Sequence, residues 1–406
     1  MASMHHVTWC DRGELALPAP RSAHASVAIG SNVYALGGLR EGWSVFDKTL
    51  TRDVLVLDTA SSPAVATAGI SKSPWVKSAE LTVQRSFHSA VVHANAIYVL
   101  GGRDGSILNS VERLDLREGV WQRLDSATLT YPRASFGCGV VRDSIYVAGG
   151  ETLSGSMASV AVLDVRALRW RDAPALSSSR RGLACAAVGD RYLYAVGGTD
   201  TRLGHGDTAV VEMLDVEREH ERWQRRHELT TPRAFHSCVN LLDRSLVCSG
   251  GIAGDQLLSC VETYDIARDR WSIKVAAMAQ PRGMHTSVVV DGAVLVVGGR
   301  VPSVSRRLAL TPSLGMLVHH EQQWRPREHT RWPRRFRELV WSIMLVYGTT
   351  TRALSELLDS GHSIEHEASS WLLCVPLEVL CMIFVHLASA MVVDFARGTR
   401  MPLAAT

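Results

Sequence analysis

The stretch that decides the fold runs from Arg85 to Trp121 and reads R-S-F-H-S-A-V-V-H-A-N-A-I-Y-V-L-G-G-R-D-G-S-I-L-N-S-V-E-R-L-D-L-R-E-G-V-W. An arginine opens it, and two short apolar runs follow, of which the second ends at Gly101-Gly102. A third run ends at Asp115, and a tryptophan closes the unit six residues later. Self-similarity at a regular period is the signature of repeat folds, so the rest of the chain is compared with this unit first.

The chain carries six copies of the pattern. Gly-Gly pairs that end an apolar run lie at 37–38, 101–102, 149–150, 197–198, 250–251 and 298–299. An arginine precedes each pair by 16 or 17 residues, at Arg21, Arg85, Arg133, Arg181, Arg233 and Arg282. After five of the pairs, a run that ends in aspartate is followed by a tryptophan: Trp75, Trp121, Trp170, Trp223 and Trp271. Six copies in register predict a repeat architecture.

The repeat unit also predicts how the chain folds. Four short β-rich runs form one four-stranded antiparallel sheet, and such sheets bury each other when they pack radially around an axis. Over roughly residues 18–300, the double glycine and the spaced aromatic residue resemble those of the kelch repeat family. The resemblance implies an all-β fold, a six-bladed kelch β-propeller of four-stranded antiparallel blades. A short α-helical C-terminal region is expected to follow it, for reasons given below.

The two ends of the chain compete to complete the last blade. Trp9 precedes a segment similar to the one that follows Trp121, so residues of the N-terminus are predicted to supply the closing outer strand. Such closure would remove a free sheet edge. The alternative is that residues 306–324, which end at Trp324, supply the last two strands themselves. In either case the propeller is expected to span residues 1–324.

Composition limits the classes of partner and the compartment. The formal net charge of +3 implies no polyanionic partner, and no nucleic-acid partner is expected. The N-terminus does not read as a secretory leader. Eight cysteines in 406 residues are too few and too scattered for a disulfide scaffold. We therefore expect a cytoplasmic or nuclear setting, with membrane tethering as an alternative discussed below.

The repeat arginines mark a candidate binding face. In an up-and-down sheet, the turn before the first strand and the loop after the second lie on one face. The six arginines and the longest loops are thus expected to share one mouth of the propeller. Clustered guanidinium groups favour carboxylates, so a protein substrate or an acidic peptide is predicted to bind Arg21, Arg85, Arg133, Arg181, Arg233 and Arg282.

The sequence offers no catalytic or metal-binding constellation. His24, His88, His236 and His285 each follow a repeat arginine by three residues, so packing explains them better than metal ligation. Cys138, Cys185 and Cys238 are interpreted as small apolar fillers of the inner strands. No nucleophile elbow, phosphate-binding loop or paired carboxylates are recognised. We predict a non-enzymatic protein without catalytic residues, metal or cofactor.

The character of the chain changes after the propeller. Six arginines within residues 325–337 predict a solvated linker over 325–336, although a contact with RNA or anionic lipid would also suit them. Apolar spacing then predicts two helices and a polar linker over 337–370.

The final segment, 371–406, has three interpretations. Residues 371–393 are mostly apolar and long enough to cross a bilayer, but they include Glu378 and His386. Pro376 and Glu378 instead suit the first turn of a helix. The run V-P-L-E-V-L-C-M-I-F-V-H-L resembles the opening of an F-box, and the matching positions are Pro376, Glu378, Val379, Leu380, Ile383, Phe384 and Leu387. A helix packed on the propeller is the third interpretation.

The F-box resemblance extends the functional prediction. It implies that Pro376, Leu380, Ile383, Phe384 and Leu387 dock on a Skp1-like adaptor. The chain would then be a substrate receptor of an SCF-type ubiquitin ligase, with the propeller holding the substrate. The runner-up is a kelch scaffold without a ligase role, tail-anchored to a membrane or free, and a propeller enzyme is a distant third.

Overall fold

A computed structural model describes residues 7–11, 15–40, 49–60, 73–200, 206–218, 222–273, 275–302, 308–310 and 314–319. All of them belong to a compact unit that takes in Met4–His319. This unit is an all-β propeller of four-stranded antiparallel blades, as the repeat predicts. Helix is almost absent from these residues, and the 3-10 turns among them include Asp125–Ala127 and Val216–Arg218. The helical region predicted after residue 324 lies outside them.

Strands are numbered in chain order from β1 (Val7–Asp11), and five blades are contiguous in the sequence. Blade 1 holds β2 (Ala25–Ile29), β3 (Asn32–Leu36), β4 (Val54–Asp58) and β5 (Val76–Lys77), and blade 2 holds β6 (Ser89–His93), β7 (Ala96–Leu100), β8 (Val111–Asp115) and β9 (Val120–Arg123). Blade 3 holds β10 (Gly137–Val141), β11 (Ser144–Ala148), β14 (Val160–Asp164) and β15 (Arg169–Ala173). Blade 4 holds β16 (Ala184–Val188), β17 (Tyr192–Val196), β18 (Val211–Asp215) and β19 (Gln224–Arg226). Blade 5 holds β20 (Ser237–Leu241), β21 (Ser245–Ser249), β24 (Val261–Asp265) and β25 (Arg270–Ser272).

The remaining four-stranded sheet is composite, so the structure shows five contiguous blades rather than six. Its strands are β26 (Thr286–Val290), β27 (Ala293–Val297), β30 (Leu314–His319) and β1. Strand β1 pairs with β30, and Trp9 lies opposite Leu317, as Trp121 lies opposite Leu114 in blade 2. Both ends of the propeller sequence thus contribute to one sheet, with β30 third and the N-terminal strand outermost.

Three small hairpins project from the loops that follow Gly-Gly pairs. They are β12 (Glu151–Thr152) with β13 (Gly155–Ser156), β22 (Ile252–Ala253) with β23 (Gln256–Leu257), and β28 (Arg300–Pro302) with β29 (Leu308–Leu310). All three therefore lie on the face of the propeller that carries the Gly-Gly loops.

Apolar side chains of adjacent blades fill the spaces between sheets. The second strand of each contiguous blade is almost wholly buried, as in β7 (Ala96–Leu100), because it has neighbours on both edges and both faces. One core cluster joins Leu36 and Tyr34 of blade 1 with Ile97 and Trp121 of blade 2. Blades thus stabilise one another through burial that none could achieve alone.

The repeat tryptophans tie each blade to the segment before it. The indole Nε1 of Trp121 donates to the carbonyl oxygen of Ala79 at 3.0 Å, and Trp223 donates to that of Pro174 at 2.7 Å. Trp75 of blade 1 donates to the carbonyl oxygen of Leu15 at 2.7 Å. The segment around Leu15 thus occupies the position relative to blade 1 that the segment around Ala79 occupies relative to blade 2. The tryptophans at 170 and 271 make the equivalent bonds.

Candidate interaction surface at the propeller mouth

The arginine and the double glycine of each repeat are hydrogen-bonded partners. In every repeat, an arginine Nη1 donates to the carbonyl oxygen of the first glycine, 16 or 17 residues on, at 2.7–3.3 Å. The six donors are Arg21, Arg85, Arg133, Arg180, Arg233 and Arg282, all of them buried. The spacing that identifies the repeat is therefore the spacing of an internal bond.

The second glycine links neighbouring blades. Its N–H donates to the carbonyl oxygen of the next repeat's arginine, as from Gly102 to Arg133 at 2.9 Å. The last of these bonds runs from Gly299 to Arg21 at 2.9 Å and closes the circle. An alanine Cβ at the first glycine would lie 2.5–2.7 Å from the same arginine carbonyl, so only glycine permits the approach.

Three of the buried arginines pair with a glutamate on the third strand of the blade. Arg85 pairs with Glu112, Arg180 with Glu212, and Arg233 with Glu262 at 2.6 Å, and all six side chains are buried. Burial lowers the pKa of Arg85 and Arg180, while the adjoining carboxylates oppose that shift. These are internal ion pairs whose separation would leave an uncompensated charge inside the blade.

In the fourth repeat, the arginine that occupies this position is Arg180, which corrects the prediction of Arg181. Arg180 Nη1 donates to the carbonyl oxygen of Gly197 at 3.3 Å, whereas the backbone of Arg181 forms an isolated antiparallel β-bridge with Thr199 at the mouth. The fourth and fifth repeats carry one more residue between arginine and glycine than the others do. The 16-residue spacing therefore selects the wrong member of the Arg180-Arg181 pair.

The predicted partner-binding role of the repeat arginines is still a prediction, and their placement bears on it. Arg21, Arg85, Arg133, Arg233 and Arg282 are at most 4% exposed, and their guanidinium groups point into the blades. Such groups offer a partner little surface. Arg181 differs, because its side chain is 15% exposed at the mouth.

We define the mouth as the two residues that follow each buried arginine together with the first residue after each Gly-Gly pair. The second residue after each buried arginine, one from each of the six repeats, takes part in a closed ring of backbone hydrogen bonds at 2.7–2.9 Å. Each N–H donates to the preceding repeat's carbonyl oxygen, in the order Ala23, Met284, Phe235, Gly182, Ser135, Phe87 and back to Ala23. Ring members have positive φ values near +50° to +62°, a conformation that this shared register imposes on non-glycine residues.

Two aromatic rings meet across the mouth. Phe87 and Phe235 contact edge to face, with ring centroids 6.2 Å apart, although their blades are three repeats apart around the ring. Gly182 leaves space for Phe235, because a Cβ at Gly182 would lie 3.1 Å from the Phe235 ring. Both phenylalanines are partly exposed, so an apolar platform lies at the centre of this face.

A charged cluster borders the platform and spans three blades. Glu151, the residue after the third Gly-Gly pair, forms an ion pair with Arg103 Nη2 at 3.2 Å and accepts a hydrogen bond from Arg181 Nη1 at 3.2 Å. Ser135 Oγ donates to the same carboxylate at 3.1 Å, and the Arg181 guanidinium lies 5.6 Å from the Phe235 ring centroid. Two guanidiniums share one carboxylate, so the cluster retains one net positive charge.

The histidines in repeat register are packing residues. His24, His88, His236 and His285 are buried, and the His88 ring lies against Gly37 of the neighbouring repeat. Burial lowers the pKa of His285 to about 3 and that of the other three well below the ordinary value, so all four are neutral. Phe136 and Leu183 occupy the same register in blades 3 and 4. No group of three or more potential metal ligands occurs within the part of the chain that the structure covers.

The three cysteines predicted to fill the inner strands lie within those strands. Cys138, Cys185 and Cys238 share one register of the inner strand, and with Cys248 and Cys260 they are free thiols. Burial raises the pKa of Cys185 to about 12 and raises that of Cys138 further, so both are protonated. They serve as small, partly buried packing residues rather than nucleophiles.

The adaptor-binding residues proposed from the sequence, Pro376, Leu380, Ile383, Phe384 and Leu387, lie outside the described residues. The same holds for the candidate membrane segment 371–393. Among the helices that the structure does describe, none is long and apolar enough to cross a membrane.

Sequence reasoning missed the residues that form the mouth. Phe87, Arg103, Glu151 and Phe235 vary between repeats, so the repeat pattern does not single them out. Their positions relative to the motif provide the missing signal. Residues one place after a Gly-Gly pair and two places after the buried arginine form a single surface.

The fold and the mouth define a class: a β-propeller whose repeats are joined by an arginine and a double glycine, with a varied surface at one mouth. The chain belongs to the kelch-repeat family. The model of the KLHDC2/KLHL20/DRC7 Kelch-repeats domain matches residues 6–150 and 71–251.

Curated relatives match over slightly more than half of this chain. Kelch-like protein 36 of Rattus norvegicus is 27% identical over 238 residues, which are 55% of this chain and 37% of that protein. Beta-scruin of Limulus polyphemus is 29% identical over 246 residues, 56% of this chain and 26% of that protein. This chain therefore spans only about a third of the length of such relatives.

Among solved structures, one titled "Structure of YjhT" matches with a TM-score of 0.59 and 16% identity. The match covers 73% of this chain and 95% of that one. At this identity it shows the propeller fold alone.

Proposed function

We propose that the chain is a non-enzymatic protein-interaction module that binds an acidic segment of a protein partner at the mouth. The observation that carries the proposal is the cluster of Arg103, Glu151 and Arg181 beside the Phe87–Phe235 platform. Membership of the kelch family supports a protein-binding role, since kelch propellers generally act as interaction modules.

The chemistry of the mouth suits a peptide with acidic and apolar residues. A partner carboxylate can pair with one guanidinium of the cluster without leaving Glu151 unpaired, because Glu151 retains the other. Side chains next to the carboxylate can rest on the two phenylalanine rings. Two large apolar residues stand out on the same face: Tyr131, 55% exposed before Arg133, and Leu153, 82% exposed in the β12–β13 hairpin. They supply further anchors of the kind that interfaces use.

A peptide-display selection on the full chain tests this proposal. Selected peptides are expected to carry Asp or Glu beside apolar residues, and binding is expected to weaken as salt rises. A selection that yields basic or purely apolar peptides would count against the mouth as an acidic-peptide site.

We further propose that residues 371–406 connect the propeller to a Skp1-like adaptor of an SCF-type ubiquitin ligase. The support is the sequence run around Pro376, Leu380, Ile383, Phe384 and Leu387 that resembles an F-box. In this role the mouth would hold the substrate of the ligase. A scaffold without a ligase role, tethered to a membrane through 371–393 or free in the cytoplasm or nucleus, is the alternative.

Co-purification distinguishes these proposals. The full chain is expected to capture a Skp1-like adaptor, and a 1–370 truncation is expected to lose it. If only the full chain resists alkaline extraction from membranes and no adaptor is captured, the tail is an anchor. If neither happens, the ligase proposal fails while the proposal for the mouth stands.

A further inference from the structure

Blade 3 differs from its neighbours at one buried position. Glutamate occupies the second residue of the third strand in blades 2, 4 and 5, as Glu112, Glu212 and Glu262. The corresponding residue of β14 is Ala161. Ala161 and the three glutamates occupy the same register. In all four blades, the N–H of the first glycine of the pair donates to the carbonyl oxygen two residues before this position, as from Gly101 to Ser110 and from Gly149 to Ser159.

In blades 2 and 5 this carboxylate binds three donors, and in blade 4 it binds two. Glu262 accepts from Arg233 Nη2 at 2.6 Å and from the backbone N–H groups of Thr230 and Thr231 at 2.7 and 3.0 Å. Glu112 accepts from Arg85 and from the N–H groups of Thr82 and Val83 at 2.6 and 3.3 Å. In blade 4 the loop donor is Ser177, at 3.1 Å from Glu212. An arginine and a loop turn therefore form a recurrent carboxylate cradle.

Blade 3 keeps the donors of this cradle without its carboxylate. Arg133 is 1% exposed and donates to Gly149 and to the Ser159 carbonyl, both at 3.3 Å. Its Nη2 reaches only Ser159 Oγ, at 3.4 Å. The loop N–H groups of Thr130 and Tyr131, which correspond to those of Thr230 and Thr231, have no hydrogen-bond acceptor among the described residues. Thr130 and Tyr131 are exposed, so the cradle has a route to solvent.

Asp172 is the acidic residue placed to compensate for the glutamate that blade 3 lacks near Arg133. It lies opposite Ala161 on strand β15, in the position that Arg123 and Arg225 hold opposite Glu112 and Glu212. It is exposed, and the hydrogen bonds that Arg133 makes within the described residues go to Gly149 and Ser159 instead. Burial lowers the pKa of Arg133 to about 10 even though the Asp172 charge acts in the opposite direction. The compensation is thus electrostatic and partial.

We propose that blade 3 binds a small carboxylate anion between Arg133 and the Thr130–Tyr131 turn, in the place that glutamate side chains fill in blades 2, 4 and 5. The ligand class follows from those blades, where the arginine and the loop N–H donors converge on a carboxylate. Blade 1 does not share the site, because Leu55 fills the glutamate position and Pro18 lacks the N–H that Thr130 provides. The site is separate from the charged cluster at the mouth and does not depend on the proposed function.

Thermal unfolding of the full chain in sodium formate tests the proposal, with sodium chloride, which has no carboxylate, holding ionic strength constant. The wild-type midpoint is expected to rise by about 2–4 °C once formate reaches several times its dissociation constant. Ala161→Glu supplies the carboxylate from within the chain, so it should raise the midpoint in sodium chloride and abolish the response to formate. Ala161→Gln fills the position without charge and should abolish the response without that rise.

The matched control recreates the cradle in blade 5. Glu262→Ala should lower the midpoint in sodium chloride and add a second response to formate, because the donors around residue 262 correspond to those of blade 3. A wild-type midpoint that stays flat where Glu262→Ala responds would overturn the proposal and assign the compensation to Asp172. A formate response that survives in both Ala161→Glu and Ala161→Gln would overturn it as well.

Discussion

Arg180 donates to the carbonyl oxygen of Gly197 and pairs with Glu212, while its neighbour Arg181 reaches Glu151 in the adjacent blade. Two consecutive arginines thus have different roles, one inside a blade and one at the mouth.

This difference between Arg180 and Arg181 predicts different losses of stability. Arg180→Ala leaves Glu212 charged and buried, so the free energy of unfolding should fall by about 3–5 kcal/mol. Arg181→Ala should cost about 1 kcal/mol or less, since Glu151 keeps Arg103. Urea denaturation of the two variants checks this, and equal losses would contradict the assignment.

The double glycines predict a steep difference between two turns of similar conformation. Gly250 has φ +56° and lies where a Cβ would sit 2.5 Å from the carbonyl oxygen of Arg282. Gly254 has φ +58° with nothing within 4 Å of that position. Gly250→Ala should therefore lower the free energy of unfolding by about 3 kcal/mol or more, and Gly254→Ala by about 1 kcal/mol. Thermal or urea unfolding measures both, and similar losses would show that the close approach has no energetic weight.

Buried neutral histidines should make the protein sensitive to mild acid. The folded-state pKa of His88 lies well below 6.5, so below that pH the unfolded chain binds a proton that the folded chain excludes. Stability is therefore present above pH 6.5 and is lost as pH falls below it. His88→Leu, which copies Leu183 of blade 4, should reduce the slope by up to about 1.4 kcal/mol per pH unit. Urea unfolding between pH 7.5 and 5 measures the slope, and an unchanged slope would refute a neutral His88.

The N-terminal strand should stabilise the composite sheet. Deletion of residues 1–14 removes β1 and exposes the edge of β30, so the thermal midpoint should fall and self-association should increase. Deletion of residues 1–6 retains β1 and serves as the control. Thermal scanning with light scattering compares the two, and equal midpoints would show that β1 adds nothing to the sheet.

Much of the fold was predictable because each repeat must solve the same packing problem. The arginine, the double glycine and the tryptophan recur since each makes one fixed bond, from Arg85 to Gly101 and from Trp121 to Ala79 for example. The prediction failed where local spacing was ambiguous, as at Arg180-Arg181. The burial of the arginines was also not apparent, because Glu112 and Glu262 approach them from strands 27 and 29 residues away.

The mouth could not be predicted from the repeat for a different reason. Arg103, Glu151 and Arg181 come from three blades, and they meet only because the ring of backbone bonds sets those blades side by side. Residues that differ between repeats give no periodic signal. Their positions in the repeat become informative only once the propeller is closed.

The affinity of a display-selected acidic peptide for three forms of the full chain tests the central claim most directly. The forms are the wild type, the double variant Arg103→Gln/Arg181→Gln, and Arg166→Gln, whose side chain is 79% exposed at a turn on the opposite face. Calorimetry should show a loss of about tenfold or more for the double variant, as expected for lost charge-assisted bonds, and no significant change for Arg166→Gln. Undiminished affinity in the double variant would contradict the claim that the mouth is the binding surface.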